Sequence, residues 1–153
     1  MVQFIKAPKL SSDLTNVQIK TEGNRMQVKY LGDISAGFPS PASDFAQDAI
    51  SLDETLLDKP EATYLNRVAG DSMYPEYLTG DLLIIRSDID PRHNDDIIVS
   101  VNNSEYTFKR YDAINKTLFP LNPKYKDAIQ LNEEDTVLIL GVVTNLVRQK
   151  RKI

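Results

Sequence analysis

No cysteine occurs among the 153 residues, and His93 is the single histidine. The first absence removes disulfides, thiol nucleophiles and thiolate-bound metals. The second argues against a histidine-rich zinc site or a histidine-dependent triad. Long apolar runs are missing as well. The longest, Val137 to Val143, falls far short of the roughly 20 residues that cross a bilayer. The opening Met1–Pro8 lacks the apolar stretch of a secretion signal. There is no excess of positive charge: 18 basic against 22 acidic residues give −4, with a pI near 5.0. Attraction to nucleic acid or anionic lipid through bulk charge is therefore disfavoured. The basic run from Arg148 to Lys152 reads as a solvated tail. These absences lead us to expect a cytoplasmic protein with no membrane segment, metal or cofactor. Its apolar content of 41% is enough for the core of one domain.

Three stretches differ in character. Residues 1–35 are polar and mixed, with no long 3.6-residue period and no pair of helices around a tight turn, so a helix-turn-helix is not expected. They read as an arm that adds a strand or two when docked on something larger. Gly37-Phe38-Pro39-Ser40-Pro41 is a proline-stiffened joint. Beyond it, Ser43 is placed to cap a helix carrying Phe45, Ala46, Ala49 and Ile50, with a further turn through Leu52, Leu56 and Leu57. From Thr63 the period becomes two. Strands are expected at 63–69, 81–86, 97–101, 105–111, 117–121 and 136–147, separated by Gly, Asn, Asp and Pro clusters.

Without cysteine and with one histidine, a covalent mechanism needs serine or threonine and an unusual base. A lysine amine kept neutral by desolvation is one solution. Gly70-Asp71-Ser72-Met73 is a candidate nucleophile turn, although an ordinary turn with self-satisfied Asp and Ser has the same sequence. Lys109 shares a strand face with Thr107, opposite Tyr106 and Phe108. Alternation alone makes it a solvent-facing lysine.

In order and spacing, four segments resemble the LexA/UmuD family of self-cleaving Ser–Lys peptidases. They are Gly70–Met73, Gly80-Asp81-Leu82-Leu83-Ile84-Ile85, Glu105-Tyr106-Thr107-Phe108-Lys109-Arg110 and Leu118-Phe119-Pro120-Leu121-Asn122-Pro123. Ala36-Gly37-Phe38-Pro39-Ser40-Pro41-Ala42 and Ala62-Thr63-Tyr64 resemble the UmuD members in particular. The likeness runs from about residue 36 to residue 147. It implies a mainly β fold of the LexA/UmuD peptidase type, with a short helical segment and an extended N-terminal arm. Residues 1–36 would be an arm removed by self-cleavage, and residues 37–153 the peptidase domain.

Carried over position by position, the resemblance makes Ser72 the nucleophile and Lys109 the general base, thirty-seven residues apart. The cut falls between Ala36 and Gly37, and the backbone N–H groups of Asp71 and Ser72 form the oxyanion hole. Ala36 stands where UmuD members have cysteine and LexA has alanine. The turn His93-Asn94-Asp95-Asp96 carries an extra residue and lacks an expected glycine; no catalytic role falls to His93. The resemblance further implies a role in the bacterial SOS response: a homodimer, stimulated by the RecA–single-stranded DNA filament, whose trimmed form joins a UmuC-like Y-family polymerase in translesion synthesis. Direct sequence-specific DNA binding is not expected. Two other readings stay open: a non-catalytic polymerase-binding module, and a LexA-type peptidase domain without its DNA-binding module.

Overall fold

A computed structural model of the chain describes residues 9–17, 27–30 and 47–152. The joint at 37–41, the expected cap Ser43, and Phe45 and Ala46 lie outside the described residues. Two compact units divide the chain, one built from the N-terminal segment together with the residues from Glu61 onward, the other from residues 20–60.

In the smaller unit, β2 (Gln27–Tyr30) pairs antiparallel with β3 (Gln47–Ser51). This corrects the expected helix through Ala49 and Ile50: both lie in β3, opposite Lys29 and Val28. A short apolar run does not distinguish strand from helix by periodicity, and a pairing partner far away in sequence decides it. The further turn through Leu52 and Leu56 is helical, as α1 (Leu52–Leu56). Its cap is Ser51, whose hydroxyl oxygen accepts from the Glu54 N–H at 3.4 Å.

The larger unit is one curled, eight-stranded sheet. Its strands are β1 (Leu14–Val17), β4 (Thr63–Val68), β5 (Leu82–Arg86), β6 (Asp96–Val101), β7 (Thr107–Asp112), β8 (Thr117–Phe119), β9 (Ile129–Gln130) and β10 (Val137–Val147). Their spatial order is β1-β4-β5-β10-β6-β7-β8-β9, all antiparallel. All six expected strands are present within a residue or two at each end. β8 stops before Pro120, which has no N–H to donate. Asn94, at φ +70°, takes the left-handed turn position for which a glycine was expected.

The middle of the sheet, at β5 and β6, is buried on both sides. Leu83, Ile85, Ile98 and Phe108 pack with Val68, Met73 and Tyr77, the Tyr77 and Phe108 rings meeting edge to face at 4.8 Å. Ile97, Val99, Leu118 and Val142 form a second cluster. The N-terminal segment belongs to this unit: Leu14 is in the first cluster, and Ser11 N–H donates to the Tyr106 carbonyl at 2.9 Å. Residues 9–17 thus touch both β4 and the residue ahead of β7.

The long central strand β10 shifts register near Leu140 and near Thr144, which bends it between its two neighbours. Between those shifts, a Cβ on Gly141 would lie 2.6 Å from the Arg86 carbonyl oxygen and 2.7 Å from Ile85 Cγ2. Only glycine fits without movement of backbone. Gly141→Ala is expected to cost about 1–3 kcal/mol, seen as a lower urea midpoint with an unchanged slope. A midpoint equal to wild type would mean that β5 yields at no cost.

Candidate active site

The chain leaves β4 into a turn held from two sides. On one side the Asp13 carbonyl accepts from Ala69 N–H at 2.8 Å and Gly70 N–H at 3.4 Å. A Cβ on Gly70 would sit 2.7 Å from Asp13 Oδ1, so close approach explains this glycine. On the other side Asn122 donates its N–H to the Ser72 carbonyl and its Nδ2 to the Asp71 carbonyl, each at 2.9 Å. The Tyr125 hydroxyl donates to Asp71 Oδ1. That bond, then burial and the charges of Asp71, Asp13 and Asp127, push the Tyr125 hydroxyl above its ordinary range. Met73, 1% exposed, roots the turn in the core.

Between these supports sits Ser72, buried at 3% exposure. Among the described residues, its hydroxyl makes no hydrogen bond, and neither do the backbone N–H groups of Asp71 and Ser72. Fixed carbonyls beside uncommitted donors are what a turn needs to receive a developing oxyanion.

Lys109 is 1% exposed, which corrects the solvent-facing reading that alternation alone suggested. The pairing Ile97↔Lys109 and Val99↔Thr107 puts Lys109 on the face that carries the second apolar cluster, so neither face of β7 is open there. The amine is not left bare. Nζ donates to Asp127 Oδ2 at 2.9 Å and to Thr107 Oγ1 at 3.3 Å, and the Thr107 hydroxyl reaches Asp13 Oδ2 at 3.4 Å.

Ser72 and Lys109 are therefore joined through shared neighbours. One path runs from the serine turn through Asn122 and Tyr125 along the chain to Asp127; the other runs through Asp13 and Thr107. The two side chains are not hydrogen-bonded to each other. Ala36 and Gly37 lie outside the described residues. Asp13, Thr107, Asn122, Tyr125 and Asp127 had no assigned part in the sequence reading. Asn122 and Thr107 fell within quoted motifs, and Thr107 was placed on the strand face of Lys109; nothing local marks Asp13, Tyr125 or Asp127, whose partners lie far along the chain.

Two ion-pair groups brace the frame. Arg148 meets Asp81 with two nitrogens at 2.7 and 2.6 Å and donates to the Glu76 carbonyl at 3.1 Å, so this first residue of the expected solvated tail is docked. The Arg148 contact, helped by the Leu78 N–H, holds the Asp81 carboxyl below its ordinary range. Arg110 similarly bridges Asp96 and Glu76, and the Tyr77 hydroxyl donates to Asp96 at 2.6 Å. Burial and that bond raise the Tyr77 hydroxyl, while Arg110 lowers Glu76. His93 stands apart, its Nδ1 accepting from the Ala113 N–H at 3.2 Å.

The sequence matches the Peptidase S24-like family over residues 29–144, which include both Ser72 and Lys109. The chain belongs to the S24 peptidase family. Protein SamA of Salmonella typhimurium is 33% identical over 118 residues, covering 76% of this chain and 81% of SamA. Protein ImpA of Escherichia coli is 32% identical over 122 residues, covering 77% of this chain and 81% of ImpA. The LexA repressor of Carboxydothermus hydrogenoformans is 33% identical over 129 residues, 81% of this chain but 61% of that repressor. The LexA/UmuD resemblance read from the motifs is thus borne out, and members of the S24 family are self-cleaving serine peptidases. Among the described residues, no helix is long and apolar enough to cross a membrane.

The Asp81 pair sets an acid dependence. A carboxyl held low in the fold stabilises it above the unfolded pKa, and that contribution is lost as pH falls through the folded value. Arg148→Ala is expected to weaken the fold at neutral pH and less so in acid, so that the two curves converge as pH falls. Urea midpoints for both proteins, taken from neutral pH down to about 3, check this; parallel curves would exclude it.

Proposed function

We propose that the chain cuts itself between Ala36 and Gly37, with Ser72 as nucleophile and Lys109 as base. The observation that carries this reading is a fully buried lysine amine in one hydrogen-bonded network with a buried serine whose hydroxyl is uncommitted. A protonated Nζ has no lone pair, so the step requires the neutral amine, turned from Asp127 toward Ser72. Neutral Nζ then takes the Ser72 hydroxyl proton as Oγ attacks the Ala36 carbonyl carbon. The oxyanion is received by the Asp71 and Ser72 N–H groups. Collapse breaks the Ala36–Gly37 bond, and the Lys109 ammonium gives its proton to the departing Gly37 amine. Water, deprotonated by Lys109, hydrolyses the Ser72 ester, yielding residues 1–36 and 37–153. A substrate carried by the same chain, or by a dimer partner, is present at high local concentration, which offsets a weak nucleophile. Small residues on both sides of the bond admit an extended backbone to a narrow cleft.

The relatives SamA, ImpA and the LexA repressor support placing this cut in an SOS-type response to DNA damage. In that setting the chain is a homodimer in the cytoplasm. The RecA–single-stranded DNA filament favours the cleavable state, and the processed body serves a UmuC-like Y-family polymerase in translesion synthesis.

The test is intact mass measurement of purified protein across a neutral-to-alkaline series, with and without activated RecA filament. The expected result is one cut at Ala36–Gly37, fastest with the filament present. Ser72→Ala is expected to abolish it, and Lys109→Ala to slow it by at least about 100-fold. A chain that stays whole in every condition overturns the peptidase reading in favour of a binding subunit.

A further inference from the structure

We infer that the segment ahead of the cut stays seated on the sheet afterwards, so that self-cleavage yields a nicked two-piece domain rather than a trimmed one. This rests on the proposed cut at Ala36–Gly37. The groove is the outer edge of β4, and its occupant is the chain's own residues 9–17.

The attachments of that segment do not depend on the bond to be cut. Leu14, Thr15, Asn16 and Val17 pair with Val68, Arg67, Asn66 and Leu65. The Asp13 carbonyl takes the Ala69 and Gly70 N–H groups, and Lys9 and Ser11 exchange backbone bonds with Tyr106. Leu14 is 4% exposed within the first core cluster. Asn66, 1% exposed, donates Nδ2 to Asn16 Oδ1 at 3.2 Å. Val17 precedes the scissile bond by nineteen residues, so hydrolysis removes none of these contacts.

Departure of the segment would be costly. It opens a cavity at Leu14, takes from the buried Asn66 amide one of its two acceptors, and leaves the N–H groups of Ala69 and Tyr106 without theirs. It also strips a sheet edge bare, which other strands then find. Two of the lost contacts, at Gly70 and Thr107, lie directly against the serine turn and Lys109. Cutting changes only the tether: an intramolecular strand becomes a bimolecular ligand, whose loss depends on dilution.

The experiment separates this inference from the cut itself. In full-length Ser72→Ala, a recognition sequence for a foreign protease is inserted between Ala36 and Gly37, and the chain is nicked by that enzyme. Native mass spectrometry at micromolar concentration is expected to show both pieces together, at the mass of the whole chain plus one water. Denaturing conditions are expected to separate them. Hydrogen exchange at the Ala69 amide is expected to stay as slow as in the unnicked protein. Leu14→Asp in the nicked chain is expected to release the small piece and speed exchange at Ala69. If the wild-type segment leaves at micromolar concentration and Ala69 exchanges as in Leu14→Asp, the inference is overturned. Failure of the Ser72 chain to cut itself would overturn the peptidase reading alone, since the foreign nick still reports on the strand.

Discussion

The site depends on one energetic constraint: a lysine amine placed where water does not reach. Burying an unpaired ammonium costs several kcal/mol, about the size of a small domain's entire stability. The fold meets this with Asp127 and Thr107, one on a surface segment and one two residues earlier in the same strand. Thr107 is in turn held by Asp13, and the segment bearing Asp127 also supplies Asn122 and Tyr125 to the serine turn. The requirement to keep one cation partnered therefore organises the surroundings of Ser72 as well. The arrangement suits a protein whose proposed chemistry must wait, because the amine that would act as base is committed elsewhere in this conformation.

Rigidity around this centre comes from charge pairs at the sheet's margin as well as from apolar packing. Asp81 and Asp96 are both buried, and each meets an arginine through two nitrogens, the geometry that best repays desolvation. Glu76 takes part in both groups, by its carbonyl to Arg148 and by its carboxylate to Arg110. The stretch from the serine turn to β5 is thus fixed at several points, which leaves Ser72 little freedom except at its hydroxyl. Membership of the S24 family and this stiffness around a buried serine and lysine point the same way.

Much of the fold was legible in the sequence. Strands β4 to β8 and β10 are set off by turn residues between them, although β5 and β6, buried on both faces, are continuous apolar runs rather than alternating ones. β9, two residues long, has no pattern to read, and β3 was misread because its five residues do not contain a period. The positions of Ser72 and Lys109 came from motifs, whereas their surroundings did not. Burial of Lys109 follows from coverage of both faces of β7, a property of the assembled sheet. Asp13 meets Thr107 across ninety-four residues, and Arg148 meets Asp81 only because β10 lies beside β5. Such contacts exist once register is fixed, and no local signal encodes them.

The place of β10 has a consequence for the order of events during synthesis. It is the last strand in chain order, yet it lies in the middle of the sheet, and without it β5 and β6 have no shared neighbour. Ser72 belongs to the half built from β4 and β5, and Lys109 to the half built from β6 to β8. The halves are brought into register by residues 137–147, which leave the ribosome long after the serine turn has emerged. A nascent chain therefore lacks the strand through which the two halves of the sheet are hydrogen-bonded, although Asn122 and residues 9–17 also link them. Topology acts here as a timer: the ladder of the sheet is continuous only after its central strand has been made.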